Sequence, residues 1–171
     1  MEPTLFVILG HVGAGKTTVA NMLAEKLKIP VASVDATVKR LFDEPTFLKD
    51  DVPISPHERM VFYNASAVLT DYIMGLGHSI IIDGVFAHQS QRDHVISQAK
   101  KHKARFFVIE VTCPDEIIKE RTKKRYEKGK GVGFEGHKEI KRIFEPVDMN
   151  QFVIDSSKDV KKQLGELLAK I

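Results

Sequence analysis

Short apolar runs alternate with longer amphipathic segments along most of the chain. Five runs are rich in strand-forming residues and read as strands buried on both faces; they span 4–9, 30–34, 79–83, 105–111 and 151–154. Apolar residues three and four positions apart predict helices between them, at 16–28, 37–42, 55–76, 90–101 and 114–128, with a last helix capped by Ser157 or Asp159. This alternation predicts an α/β three-layer sandwich around a five-stranded parallel sheet.

Two segments show neither the apolar runs of a strand nor the apolar spacing of a helix. Residues 43–56 hold three of the seven prolines and are predicted to form a loop. The segment 129–136 holds four glycines and is predicted to be a mobile loop. Because no linker divides the chain, we expect one domain over residues 1–171.

Composition narrows the class of protein. With 43% hydrophobic and 29% charged residues among 171, the chain is neither disordered nor low in complexity. The single cysteine, Cys113, excludes an intramolecular disulfide and a cysteine-rich zinc site. No apolar run approaches the ~20 residues of a membrane span. We therefore expect a soluble cytoplasmic protein without a membrane partner.

The clearest motif lies between the first predicted strand and the first predicted helix. Gly10-His-Val-Gly-Ala-Gly-Lys16-Thr17 fits G-x-x-x-x-G-K-[ST], a loop whose N–H groups cradle a polyphosphate. Lysine in this motif reaches the β- and γ-phosphates, and the threonine hydroxyl binds Mg²⁺. The predicted nucleotide-binding residues are Gly10, His11, Val12, Gly13, Ala14, Gly15, Lys16, Thr17 and Thr18.

Two acids end predicted strands. Asp83 follows three isoleucines, and ligands of open α/β sheets bind at that end of the strands. It is a candidate to hold Mg²⁺ together with Thr17, the alternative being an acid that caps a turn. Asp35 ends the second predicted strand. It can accept the proton of an attacking hydroxyl or contact the acceptor, and it also suits the N-cap of the helix that follows.

A basic segment covers residues 119–130. Arg121 and Arg125 are four apart and share one helical face. With the glycine-rich loop that follows, this segment is typical of a lid that closes on a nucleotide and sets arginines on the transferred phosphate. A solvated helix face and a nucleic-acid surface are the alternatives. The net charge of +3 is too small to favour nucleic acid by itself.

These residues resemble the small P-loop kinases of the nucleoside-monophosphate-kinase type. Within them, the chain is similar to the predicted ATP kinases related to zeta toxins, adenylylsulfate kinases and the kinase domain of polynucleotide kinases. The resemblance covers nearly the whole chain and rests on Gly10–Thr18, Asp35, Lys39, Arg40, residues 55–59, Asp83, Arg92, Arg121 and Arg125.

The resemblance implies a strand order of 2-3-1-4-5 and a helical lid at about 114–137. It implies that Asp35, with Lys39 or Arg40, lies on the acceptor side and that Arg92 contacts acceptor phosphate or polar groups. Relatives often carry arginine three residues after the first acid, where this chain has Val38. They often read Asp-x-Thr at the third strand, where this chain has Asp83-Gly-Val. Both departures concern the acceptor side.

The leading hypothesis is a kinase that uses ATP and Mg²⁺ and phosphorylates a hydroxyl of a small molecule or nucleotide. Lys16, Asp35, Arg121 and Arg125 are its predicted catalytic residues. A polynucleotide 5′-hydroxyl kinase is one alternative, and an ATP-binding switch or assembly factor is another. A GTPase is not favoured, because no N-K-x-D sequence occurs. No motif specifies the acceptor or the oligomeric state.

Overall fold

The computed structural model describes residues 2–41, 56–128, 133–149 and 151–171, with the side chains of 38–41 and 56–59 left out of the description. The strands are β1 Thr4–Leu9, β2 Val31–Ser33, β3 Ile80–Asp83, β4 Arg105–Thr112 and β5 Gln151–Asp155. The helices are α1 Lys16–Leu27, α2 Val34–Leu41, α3 Pro56–Gly75, α4 Gln89–Lys101, α5 Asp115–Tyr126, α6 Phe134–Ile143 and α7 Val160–Leu168.

All strand pairings in the sheet are parallel, and the order is β2-β3-β1-β4-β5. This confirms the predicted fold class and strand order. In the register, Asp83 at the end of β3 lies opposite Ile8 on one side and Ser33 on the other. The carboxyl ends of the strands therefore meet at one edge, where α/β folds bind ligands.

The central strand β1 explains why helices cover both faces. Leu5 and Val7 face a core built with α3 and α4, whereas Phe6 and Ile8 face a core built with α1, α5 and α7. All four are at most 3% exposed. Burial of each such side chain stabilises the fold by roughly 1.5–3 kcal/mol. The continuous apolar run at 4–9 is thus the sequence signature of a central parallel strand.

Two local predictions are wrong. The second strand ends at Ser33 and α2 begins at Val34, so Asp35 lies in the first turn of a helix instead of at a strand end. The predicted loop at 129–136 overlaps α6, which begins at Phe134. Four glycines at 129, 131, 133 and 136 led to the prediction of a loop, although α6 begins among them. Of the predicted loop at 43–56, residues 43–55 lie outside the described residues and Pro56 begins α3.

Among the residues that the structure describes, no helix is long and apolar enough to cross a bilayer.

Candidate nucleotide-binding site

The loop between β1 and α1 depends on glycine at its two ends. Gly10 has φ of 139°, and a Cβ there would lie 2.3 Å from the Val111 carbonyl oxygen of β4. Gly15, with φ of 97°, is the N-cap of α1. Because Gly15 has no side chain to cap the helix, the first N–H groups of α1 are left for a ligand.

Lys16 is folded inward beneath this loop. Only 7% of the residue is exposed, and its Nζ donates a 2.9 Å hydrogen bond to the His11 carbonyl oxygen. Burial lowers the pKa of Lys16, aided by Arg125 and opposed by the carboxylates of Asp83 and Asp35. The lysine is thus a buried cation that phosphate oxygens would stabilise.

The first turn of α1 contacts the end of β3. The Thr17 hydroxyl donates a 2.7 Å hydrogen bond to Asp83 Oδ2. Asp83 is 2% exposed, and burial raises the pKa of its carboxyl against the opposing effects of Lys16 and Thr17. Its other oxygen, Oδ1, is buried and has no hydrogen-bond partner of good geometry in the part of the chain that the structure describes, while the neighbouring Ser33 hydroxyl also lowers the pKa of the carboxyl.

The donor set of Thr17 and Asp83 fits Mg²⁺. A hydroxyl and a carboxylate are hard oxygen ligands, and the buried, unpartnered Oδ1 is an acceptor that a cation would satisfy. Within the described ranges, no group of three or more His, Cys, Asp or Glu could hold a metal ion. Mg²⁺ commonly uses one or two carboxylates together with substrate phosphates and water, so two protein ligands would be enough for such a site.

Asp35 lies at the same edge of the sheet. It is exposed in the first turn of α2. Its charge is close enough to raise the pKa values of both Lys16 and Asp83. The structure therefore brings Asp35 together with the phosphate loop, although it is on a helix and not at a strand end.

Both arginines of α5 also reach this region. Arg121 donates from Nη1 to the Ser156 hydroxyl at 2.8 Å and from Nη2 to the Ser156 carbonyl at 3.1 Å. Ser156 follows β5, and its Oγ lies 3.2 Å from the position of a Cβ on Gly15. Arg125 is exposed, and its charge lowers the pKa of Lys16. The Arg121 guanidinium thus lies beside the start of α1, and Arg125 is near enough for its charge to act on the Lys16 ammonium.

Arg92 occupies a different environment from the one predicted. It is fully buried, and its guanidinium donates five hydrogen bonds to protein oxygens. Four of these acceptors are the carbonyl oxygens of Phe86, Ala87, Glu145 and Pro146. A guanidinium has five N–H donors, so in this conformation Arg92 holds two chain segments together. The predicted contact with an acceptor finds no support in its position.

The remaining predicted residues are divided between the loop and the acceptor side. Thr18 lies in α1 and its N–H donates to the Gly15 carbonyl at 3.1 Å. Ala14 is buried, and the His11 ring packs edge-on against Phe144 with ring centroids 4.7 Å apart. The side chains of Lys39 and Arg40 lie outside the described residues.

Sequence reasoning missed two residues that contact the loop region. Ser156 could have been found, because it follows the fifth strand and so lies at the ligand-binding edge. His137 of α6 lies with Nδ1 3.1 Å from the Val12 carbonyl oxygen. No sequence signal indicated it, since α6 itself was not predicted.

Three solved structures illustrate the similarity of this fold to known proteins. A gluconokinase from Sinorhizobium meliloti 1021 matches with a TM-score of 0.75 and 16% identity, covering 98% of this chain and 90% of that one. The Mycobacterium tuberculosis APS kinase CysC, solved with AMPPNP and APS, matches with a TM-score of 0.73 and 14% identity over 98% and 96% of the two chains. Kti12 from Chaetomium thermophilum, solved with ADP-AlF3, gives 0.77 and 18% over 96% and 97%.

These similarities confirm the resemblance to small P-loop kinases at the level of the fold. No curated protein matches the chain. A family model described as "AAA domain" matches residues 5–147, from the first strand through the segment after α6. The chain therefore belongs to the AAA domain family and has the fold of a P-loop kinase.

Proposed function

We propose that the protein is an ATP-dependent kinase that phosphorylates a hydroxyl group of a small molecule or nucleotide. The observation that carries the proposal is the hydrogen bond between Thr17 and Asp83, set beside the buried Lys16. This arrangement places two oxygen ligands for Mg²⁺ and one cation for the phosphates at the same edge of the sheet. The names of similar structures, a gluconokinase and an APS kinase, agree with this reaction class.

On the ATP side, the loop 10–17 and the start of α1 bind the phosphates. The lysine Nζ leaves the His11 carbonyl and binds the β- and γ-phosphate oxygens, which compensate its burial. Thr17 and Asp83 hold Mg²⁺, which when bound neutralises phosphate charge. Arg121 and Arg125 contribute positive charge as the bond to the leaving ADP breaks.

On the acceptor side, Asp35 positions the attacking hydroxyl and takes its proton. The hydroxyl oxygen forms a bond to the γ-phosphorus, and the bond from that phosphorus to the β–γ bridging oxygen breaks. ADP leaves with the electron pair of the broken bond, and the proton of the hydroxyl passes to the carboxylate. The exposure of Asp35 leaves room for an acceptor beside it.

The segment at about 114–137 serves as the lid within a single kinase domain. Its helix α5 carries both arginines, and its two ends lie together, with His137 Nε2 3.4 Å from Asp115 Oδ1. The end of α5 beyond the buried Thr122 is exposed and carries Arg125, so this part of the segment can move over a bound nucleotide. The acceptor is a small molecule or nucleotide, and nucleic acid is less favoured.

The test is ATP turnover with Mg²⁺ across a panel of hydroxyl acceptors. Nucleosides, nucleotides, adenylylsulfate, sugars and 5′-hydroxyl oligonucleotides would be compared with a reaction lacking acceptor, and Lys16→Ala would serve as the inactive control. We expect one class to stimulate ADP formation and to become phosphorylated. Tight ATP binding without stimulation by any acceptor would instead favour a nucleotide-dependent switch. Stimulation by oligonucleotides with steep salt dependence would favour the polynucleotide kinase.

A further inference from the structure

A buried histidine of α6 contacts the backbone of the phosphate loop. His137 is 0% exposed, and its Nδ1 lies 3.1 Å from the Val12 carbonyl oxygen. Its Nε2 lies 3.4 Å from Asp115 Oδ1 at the start of α5. The imidazole therefore joins three elements: the loop, the first turn of α5 and the helix α6.

The chemistry of this contact assigns the proton on the ring. A backbone carbonyl oxygen can only accept a hydrogen bond, so Nδ1 of His137 must be the donor. Asp115 is itself held by the ammonium of Lys141, whose Nζ lies 2.5 Å from Oδ2. Lys141 and His137 lower the pKa of the Asp115 carboxyl. The carboxylate thus lies near the ring edge opposite the loop, where Nε2 is buried and has no hydrogen-bond partner among the described residues.

The hydrogen bond to Val12 also orients the next amide. A trans peptide unit is planar, and its carbonyl oxygen and N–H point in opposite directions. Holding the Val12 carbonyl toward α6 therefore aims the Gly13 N–H away from α6. Gly13 has φ of 83°, and a Cβ there would lie 2.8 Å from Thr122 Cγ2, so the loop is closely packed by α5 at this point.

Two aromatic rings pack against the imidazole of His137 and leave its Nδ1–H free to bond to Val12. The Phe134 ring stacks on His137 with centroids 5.3 Å apart, and the His11 ring meets it edge-on at 5.5 Å. Burial, together with His137, Lys141 and Lys16, lowers the pKa of His11 to about 4. His11 is therefore neutral near pH 7 and adds no repulsion there.

We propose that His137 is a positioning residue of the phosphate loop, which fixes the Val12–Gly13 peptide so that the Gly13 N–H is oriented for a nucleotide phosphate. The stacked Phe134 ring holds the imidazole from one face. The effect on phosphate binding rests on the proposed use of this loop for ATP, whereas the orientation of the peptide does not.

Three substitutions separate the hydrogen bond from packing. In His137→Asn the amide nitrogen sits two bonds from Cβ, as Nδ1 does, and can donate to Val12. In His137→Gln the amide nitrogen lies one bond further along the side chain, and His137→Leu has no donor. His94→Leu, at an exposed histidine of α4, is the matched control for the loss of an imidazole.

The first readout is the NMR spectrum of the protein without nucleotide. We expect the imidazole ¹⁵N shifts of His137 to show a proton on Nδ1, and the Gly13 amide resonance to move in His137→Leu but not in His94→Leu. An unprotonated Nδ1, or a Gly13 amide unchanged in His137→Leu, would overturn the proposal. The wild-type imidazole shifts decide the matter even where the leucine variant fails to fold.

The second readout is the dissociation constant for Mg-ATP by calorimetry. We expect about a five-fold weaker affinity in His137→Leu and His137→Gln, as for the loss of one hydrogen bond, and recovery to within about two-fold in His137→Asn. Equal affinity in all variants would contradict the positioning role. A wild-type protein that binds no Mg-ATP would instead refute the kinase proposal, while the Gly13 resonance would still test the orientation of the loop.

Discussion

The Thr17 hydroxyl donates a 2.7 Å hydrogen bond to Asp83 Oδ2 across 66 positions of sequence. One partner lies in the first turn of α1 and the other at the end of β3. Parallel pairing of β3 with the central β1 places them side by side, with Asp83 opposite Ile8 in the register. The contact brings a hydroxyl and a carboxylate to the phosphate loop. Substitution of Thr17 and substitution of Asp83 therefore have different expected effects.

Asp83→Asn is expected to stabilise the metal-free protein near pH 7. Burial raises the pKa of Asp83, so the folded state binds this proton more tightly than the unfolded state. The stabilisation from that proton is present at low pH and is lost as pH rises through the folded pKa. Neutral asparagine avoids the cost of the buried charge. Urea unfolding from pH 4 to pH 8 (roughly the range that brackets a raised carboxyl pKa) should show a difference that shrinks as the pH falls.

The same variant is expected to lose its response to Mg²⁺. Wild-type affinity for ATP should rise when Mg²⁺ is added and fall when EDTA removes it, whereas Asp83→Asn should respond little. A variant that is less stable than wild type at every pH, and that still responds to Mg²⁺, would show that Asp83 is a structural acid capping a turn.

Thr17→Val removes the hydroxyl but keeps the size of the side chain. We expect the rate of phosphoryl transfer to fall by about 10- to 100-fold, as for the loss of a group that supports a metal site. Loss of the donor to the buried Asp83 Oδ2 should also cost about 1–3 kcal/mol of stability. Thr17→Ser, which keeps the hydroxyl, is the matched control, and kinetics over a Mg²⁺ titration provide the measurement. Equal activity of the valine and serine variants would exclude Thr17 from the metal site.

Asp35→Asn should preserve ATP affinity and abolish transfer. Asp35 is exposed and its amide analogue is isosteric, so stability should change by less than about 0.5 kcal/mol. A lost general base lowers the turnover number by about 10²- to 10⁴-fold. The KM for ATP should change little, and Asp148→Asn, at another exposed aspartate, provides the control. A weaker affinity for ATP with turnover unchanged would place Asp35 on the ATP side instead.

The phosphate loop and Asp83 were predictable because each depends on local sequence. The motif Gly10–Thr17 needs a strand before it and a helix after it, and both were indicated by their hydrophobic periods. Asp83 was identified because a buried strand ends there and parallel strands share one ligand-binding edge. The strand order could not be read from periodicity and came from the resemblance to P-loop kinases.

The contacts of α6 and Arg92 could not be predicted in the same way. His137 bonds to Val12 across 125 positions, and Arg92 bonds to Pro146 across 54. Such pairings depend on how loops pack after the sheet has formed, and neither has a spacing rule. From the sequence alone, an arginine can equally be a residue that contacts a ligand or a buried residue that donates hydrogen bonds to backbone carbonyl oxygens.

Arg92→Leu is expected to destabilise the fold by at least about 3 kcal/mol, because several carbonyl oxygens lose their hydrogen-bond donor at once. Arg92→Lys should recover little of this loss, since a compact ammonium cannot reproduce the planar fork that bonds residues on both segments. Urea unfolding gives the measurement, with Arg142→Leu at an exposed position of α6 as the control, expected within about 0.5 kcal/mol of wild type. The alternative role predicts a different pattern: a lysine variant as stable as wild type whose KM rises only for the acceptor would make Arg92 a substrate contact. The complete burial of Arg92 and its five hydrogen bonds to protein oxygens favour the loss of stability.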